Sequence, residues 1–283
     1  MSAPAPFLRP SVPDAQQLAG IRALIARIAA EDGREPLSDQ ALTHLSSTSV
    51  EHLLTTRDGE VTGYAQLDGD SLEIAAGPAA ARALLDRFGG RHVLVWSHGS
   101  SSQLASVLRE RDFTTMRELH QLRRSLSDPI DLPQIPDGVD IRPFVRDRDE
   151  DAWVAVNAAA FAHHPEQGGW TRADLEAREQ EPWFDPSGFL MAWRENELIG
   201  YHWTKIHPDG AGEVYVIGVA PAAQGIGLGA VLLLHGLGYL RDRGCDEVLL
   251  YVDGDNTGAM RLYERYGFRR HDLDVQWAPP DDS

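Results

Sequence analysis

The stretch Glu213-Val-Tyr-Val-Ile-Gly-Val-Ala-Pro-Ala-Ala-Gln224-Gly225-Ile226-Gly227-Leu228-Gly229 carries the reading of the fold. Glu213–Val219 is rich in β-branched and aromatic residues, and Pro221 stops it. Three glycines follow at two-residue spacing, and from Leu228 the chain becomes apolar at helical spacing as far as Arg243, before Gly244. A strand, a glycine loop and a helix start form a phosphate cradle. Glycine lets backbone N–H groups face a ligand without a Cβ in the way, and the helix dipole adds positive charge. The glycines alone also fit a plain flexible turn or a dinucleotide fingerprint. The dinucleotide reading wants the loop after the first strand of a domain, whereas several strands precede it here.

Working outward, Ala152–Ala162 reads as a helix, and Gly188–Arg194 and Leu198–Ile206 read as strands joined by a turn at Glu195–Asn196. After the long helix come a strand at Glu247–Val252, a helix at Asn256–Tyr266 and a closing strand at Phe268–Trp277. This alternation predicts an α/β (α+β mixed sheet) fold with some parallel pairing. The first half repeats the order. Helices are expected at Pro13–Ala30, Pro78–Arg87 and Gln103–Arg111, and strands at Val50–Thr56, Val61–Leu67, Ser71–Ala76, Val93–Trp96 and Phe113–Leu126. Trp96–Phe113 has the length of Tyr251–Phe268, and Asp70–Pro78 aligns without gaps on Glu213–Pro221. Two ungapped matches in the same order indicate an internal duplication. The segment Ser127–Asp140, rich in Pro and Asp, reads as the linker. The expected division is therefore 1–126, a linker at 127–140, and 141–283.

The chain has 283 residues with 24% charged and 42% hydrophobic side chains, an ordinary globular composition. Its formal net charge of −17 argues against a nucleic-acid partner, which wants a basic footprint. The single cysteine, Cys245, allows no internal disulfide and fits a reducing cytoplasm. No signal peptide and no apolar run long enough to span a membrane are found, so a cytoplasmic protein without a membrane partner is expected, taken as a monomer.

Val219, Pro221, Gln224, Gly227 and Gly229 match V-x-P-x-x-Q-x-x-G-x-G, which resembles the acetyl-CoA motif of the GNAT N-acetyltransferase family. Asn256 and the run Arg261–Phe268 (RLYERYGF) resemble that family's downstream signature. The resemblance implies two tandem GNAT-type acyl-CoA N-acyltransferase domains. It implies that acetyl-CoA lies along Ile217, Gly218 and Val219, on the loop Gln224, Gly225, Ile226, Gly227, Leu228, Gly229 and Ala230, and by Asn256, Thr257, Gly258, Ala259, Met260 and Arg261. The family usually has a basic residue or two in the loop. Here Ala222, Ala223 and Ile226 stand instead, so phosphate binding would rest on amides and the helix dipole, and weaker CoA binding follows.

Acetyl transfer to an amine needs a base for the ammonium, stabilisation of the thioester oxygen and an acid for the leaving thiolate. Two-residue alternation puts Glu213 on one strand face with Tyr215 and Ile217. It is either a solvated strand-end glutamate or the base, and the resemblance favours the base. Asn256, Met260 and Tyr263 share a helix face by spacing. Tyr263 is either a half-buried aromatic or the acid that the resemblance implies. Tyr251 is a second candidate for the acid or for a substrate contact. The first half lacks this equipment: Leu108 stands at the position of Tyr263, Ser101 at that of Asn256, and only Asp70 falls opposite Glu213. It is expected not to catalyse, although Ile74, Ala75 and Ala76 are candidate CoA contacts.

Phe161–Thr171 (FAHHPEQGGWT), Tyr201–Lys205 and Glu213–Val219, together with the degenerate first copy, resemble the actinobacterial tandem-domain GNAT enzymes that make mycothiol. That resemblance implies acetyl transfer to the cysteinyl amine of desacetylmycothiol, a small-molecule substrate. It implies contacts from Asp32 or its neighbour Glu31, Glu166, Lys205, Glu213 and Tyr251. His163 and His164 are adjacent and lack a helical partner, so no metal site is expected. The alternatives are a GNAT enzyme for another small amine or a protein N-terminus, and a non-catalytic CoA-binding module.

Overall fold

The computed structural model describes residues 7–8, 12–162, 164 and 167–280. The contacts divide the chain into two compact units. The first takes the chain up to Gln121 with Val252–Thr257 and the chain from His271 on; the second takes Leu122–Tyr251 and Gly258–Arg270.

In chain order the first unit contributes β1 (Phe7–Leu8), α1 (Ala15–Asp32), α2 (Asp39–Thr43), β2 (Glu51–Arg57), β3 (Glu60–Asp68), β4 (Ser71–Ala76), α3 (Pro78–Arg87), β5 (Leu94–Ser97), α4 (Gln103–Glu110) and most of β6 (Thr114–Ser125). Asp14 is the cap of α1 rather than a residue within it. Its carboxylate accepts from the Gln17 amide in a capping box, and Gly33 ends the helix in a left-handed conformation. The strand order is β1-β2-β3-β4-β5, and only the β4–β5 pairing is parallel. Neighbouring residues feed opposite faces. Leu54, Tyr64 and Ala75 pack on Ile21, Leu24, Ile25 and Ile28 of α1, whereas Leu53, Ala65, Ile74 and Ala76 pack on α3 and α4.

The later elements are β7 (Val139–Pro143), α5 (Glu150–Ala160), α6 (Arg172–Glu179), β8 (Phe189–Arg194), β9 (Glu197–Ile206), β10 (Gly212–Val219), α7 (Leu228–Asp242), β11 (Glu247–Asp253), α8 (Thr257–Arg265) and β12 (Arg269–Ala278). In the second unit β11, β10, β9, β8 and β7 follow one another, with only β10–β11 parallel. Trp153 of α5 and Leu175 of α6 cover Tyr201, Trp203 and Val216 on one face, and α7 covers Ile199, Ile217 and Val219 on the other. In this half two elements were not foreseen from the pattern. Helix α6 is short and mostly charged, and β7 takes up the last two residues of the Pro/Asp-rich segment.

The chain end completes the first unit. Val275, Gln276 and Trp277 of β12 pair antiparallel with Ser97, Trp96 and Val95 of β5. The Trp277 indole N–H donates to Ser97 Oγ at 2.9 Å. Among the described residues no helix is long and apolar enough to cross a membrane.

Candidate active site

β10 holds the second unit's site, and a β-bulge shapes it. Opposite β9, Val214 pairs with Thr204 but Val216 pairs with Trp203, so Tyr215 is the extra residue. The bulge reverses the alternation. Glu213 pairs with Lys205 and Val216 with Trp203, which puts them on the face of α5 with Tyr215, whose ring lies 5.2 Å from that of Trp203. Ile217 pairs with His202 and packs with Leu228 and Leu232 on the face of α7. The single face expected for Glu213, Tyr215 and Ile217 therefore holds for the first two only. Simple alternation fails because the inserted residue shifts every later side chain by one.

Glu213 is 7% exposed. His207 Nε2 lies 2.7 Å from its Oε2, and Lys205 Nζ lies 3.8 Å from the same oxygen. The Lys205 ammonium also sits 5.3 Å from the Trp183 ring centroid and 5.7 Å from that of Tyr215. A carboxylate in this setting has its charge matched and its position held. His207 was not singled out in the sequence. Its available signal was the turn His207-Pro208-Asp209-Gly210 between two strands, which folds the histidine back toward the start of β10.

β10 pairs with β11 only at Gly212 and Glu213 (opposite Val248 and Leu249), so the described pairing leaves the β11 side of Val214–Val219 open. Such an edge offers backbone N–H and C=O groups to an extended ligand arm. Gly218 lies on this stretch, where a Cβ would come within 2.8 Å of the Tyr201 ring. The edge runs into the 3₁₀ turn Pro221–Ala223 and the exposed loop Gln224–Gly227. Gly225 and Gly227 adopt φ of 84° and 83°, and a Cβ at either would point into open space. Gly227 caps α7, whose first-turn amides at Leu228 and Gly229 present the helix's positive end, while the Ala230 N–H donates to the Gly227 carbonyl at 3.1 Å. Ile226 is 41% exposed at the loop tip. Backbone amides and the helix dipole can hold an anion here without a basic side chain.

α8 starts at Thr257, one residue later than expected, so Asn256 precedes the helix instead of sharing its face. Its backbone N–H bonds to the Asp253 carbonyl in the turn, which delays the start of the helix. Met260 and Tyr263 do share the buried face, at 6% exposure each. Burial pushes the Tyr263 phenol well above its ordinary pKa, and its ring meets Phe268 edge-on at 5.7 Å. It therefore stays protonated and able to donate. Tyr251 of β11 is 39% exposed. In the approach to α8, Thr257 and Gly258 are exposed, Ala259 is half-buried and Arg261 is exposed.

The first unit has an analogous opening. β4–β5 pairing ends at Glu73 opposite Trp96, so Ile74, Ala75 and Ala76 continue beyond it. Counted against the neighbouring strand, where Ala76 opposes Gly63 as Val219 opposes Gly200, the residue at the place of Glu213 is Ser71, one along from Asp70. Asp70 lies in a turn, where its carbonyl accepts from Leu94 N. The ungapped alignment is off by that one residue because β4 has no counterpart of the bulge at Tyr215. The Glu73 carboxylate is consumed internally. It accepts from Ser38 N and Oγ at 2.6 Å each and faces His98 Nε2 at 3.2 Å. His98 Nδ1 meets Asp274 at 3.2 Å, and Arg34 bonds Asp272 and Asp274. Burial opposes charge on His98, but the hydrogen bonds and charges of Asp274 and Glu73 outweigh it and raise its pKa to about 9. Leu108 is fully buried and Ser101 is exposed. Asp32 is tied to α4 through Gln103 N and Nε2, and Glu31 forms an exposed pair with Arg27. Glu166 and His163 lie outside the described residues. His164 Nδ1 accepts from Gln167 N at 2.9 Å, which gives it a loop-shaping contact.

Residues 151–268 match the model of the Acetyltransferase (GNAT) family. Mycothiol acetyltransferase of Thermomonospora curvata is 47% identical over 280 residues, covering 93% of this chain and 94% of that protein. The protein of that name from Streptomyces griseus subsp. griseus is 45% identical, with 93% and 92% covered. Among solved structures, the GCN5-related N-acetyltransferase from Sphaerobacter thermophilus superposes with a TM-score of 0.72 at 25% identity, over 98% of this chain and 97% of that one. A tandem GNAT protein from the clavulanic acid biosynthesis pathway gives 0.71 at 17% identity, over 98% and 99%, which speaks for the fold.

Proposed function

Because the chain belongs to the mycothiol acetyltransferase family within the GNAT acetyltransferases, we propose that it transfers the acetyl group of acetyl-CoA to the cysteinyl amine of desacetylmycothiol, giving mycothiol. One observation carries the placement of the chemistry. The last residue of β10 that pairs with β11 is Glu213, a nearly buried carboxylate, and beyond it the open strand edge leads straight to the glycine cradle.

Acetyl-CoA supplies the thioester. The backbone of Ile217–Val219 would hold its extended arm and the amides of Gln224–Ala230 its pyrophosphate, with Asn256–Arg261 as further contacts. Glu213 takes the ammonium proton, so that the free amine can attack. Tyr263, kept protonated by burial, gives its proton to the departing sulfur, and Tyr251 is the second candidate for that role. Lys205, Tyr251 and Glu166, with Asp32 or Glu31, would recognise the hydroxyls of the acceptor. The first copy (1–126) is read as degenerate, joined by 127–140 to the catalytic copy (141–283). Ser71 at the place of Glu213 supports that reading, since it brings no carboxylate, and the nearby Glu73 is taken up by Ser38 and His98. Ile74–Ala76 remain candidate CoA contacts there. A cytoplasmic monomer with no nucleic-acid, membrane or metal partner completes the proposal.

The test is release of free thiol from acetyl-CoA with a panel of amines. Turnover with desacetylmycothiol, and weaker or no turnover with other small amines and peptide N-termini, is the expected result. Turnover only with another amine would make the chain a GNAT enzyme of different acceptor. No turnover with any would favour a CoA-binding module.

A further inference from the structure

The geometry points to His207 as a positioning residue for the base: by holding Oε2 of Glu213, it turns Oε1 toward the acceptor amine. This rests on Glu213 acting as the base. His207 follows directly on β9, and its backbone is locked in a tight turn. Its N–H donates to the Ala211 carbonyl and its own carbonyl accepts from Gly210 N, both at 2.9 Å. Asp209 Oδ1 accepts from Ala211 N at 3.0 Å, and Gly210 takes a φ of 90° to close the turn. With its backbone fixed, the imidazole has few orientations left. Nε2 reaches Glu213 Oε2 at 2.7 Å.

Among the described residues, both contacts on the Glu213 carboxylate fall on that one oxygen, from His207 and from Lys205. The other oxygen is left for a proton. The two donors differ in what they can do. Lys205, at 3.8 Å, is a charge beside the carboxylate and is shared with the Trp183 and Tyr215 rings. His207, at 2.7 Å, makes a directional bond that sets the carboxylate's rotation. Around this pair, Lys205 of β9 sits on the same oxygen of Glu213, and the Asp209 carboxylate of the turn is engaged with Ala211 N. The His207 side chain is 24% exposed and the Glu213 side chain 9%, so the bond between them is largely out of water.

The experiment uses the purified full chain with acetyl-CoA and whichever amine the wild type acetylates best. His207→Ala is expected to lower kcat by about 10- to 100-fold, the loss expected for a hydrogen bond to a charged group, with the KM for acetyl-CoA changed by less than about twofold. His207→Gln places an amide N–H where Nε2 stood and restores most of the rate. In a Glu213→Gln background His207→Ala adds little, because its partner is already gone. An unchanged kcat in His207→Ala would overturn the proposal. So would a His207→Gln variant as impaired as the alanine, or an equal fold-loss in the Glu213→Gln background. If His207→Ala does not fold, His207→Gln and its combination with Glu213→Gln decide. Loss of desacetylmycothiol turnover in the wild type would overturn the acceptor, and the His207 comparison would still be read on the amine that reacts.

Discussion

Acidification is expected to weaken the strand that carries the site through one buried imidazole. His202 of β9 is fully buried and pairs with Ile217 on the strand edge proposed for the cofactor arm. Its Nδ1 lies 2.8 Å from the Leu232 carbonyl of α7. A carbonyl only accepts, so Nδ1 carries the proton and Nε2 is the bare nitrogen. Nε2 is buried and has no partner among the described residues. Gly236 leaves the ring its space, since a Cβ there would come within 2.1 Å of it. A second proton would thus place a charge where neither water nor an acceptor reaches, and burial lowers the His202 pKa from 6.5 to about 4 despite the bond to Leu232. The folded value lies below the unfolded one. The folded state therefore resists protonation, and this contribution to stability is intact above pH 6.5 and lost as pH falls toward 4. The 2.5-unit difference, at about 1.36 kcal/mol per unit and less the half-titrated remainder at pH 4, amounts to about 3 kcal/mol. Set against a total of about 5–15 kcal/mol, that is a large share. The assay is urea unfolding of the wild type and His202→Asn at pH values from about 8 to about 4. Asparagine keeps an N–H for the Leu232 carbonyl and does not titrate. The wild type starts the more stable, because asparagine leaves a void, and its advantage should shrink by about 3 kcal/mol across the range. Parallel curves would refute the reasoning.

Glu213→Gln should lower kcat by about 10²- to 10⁴-fold with acetyl-CoA affinity little changed, read from initial rates and from calorimetric titration with CoA. Gly227→Val meets a φ of 83° and aims a side chain into the open cradle, so the KM for acetyl-CoA should rise by about tenfold or more while kcat falls less. Tyr263→Phe keeps the packing against Phe268 and removes only the proton donor, and should lower kcat with the thermal midpoint within about 2 °C of wild type. On the alkaline side, His98 has a folded pKa of about 9, above the unfolded 6.5. Its contribution is complete below pH 6.5 and lost as pH rises through 9, so His98→Gln should flatten the decline in unfolding free energy over that interval.

The sequence by itself determined the local features of this protein. A β-rich run ended by proline, glycines at two-residue spacing and an apolar helix are short-range patterns, and together they placed β10, the cradle and α7 within a residue or two. The carboxylate at Glu213 and the buried face of Tyr263 were legible for the same reason, since spacing within one element shows which side chains share a surface. Tertiary structure alone decided what lies between elements. The bulge at Tyr215 is invisible in the letters, because an inserted residue is defined only by its partner strand, and it sends Ile217 to the opposite face from Glu213. The same dependence on a partner strand puts Ser71 rather than Asp70 in the place of Glu213, and gives the end of the chain to β5. His207 belongs with these. Six positions separate it from Glu213, and only the closure of the β9–β10 turn brings its nitrogen to 2.7 Å from the carboxylate. Periodicity reports which way a side chain leaves its own backbone; what it meets depends on strand register, and register is fixed by packing the whole sheet.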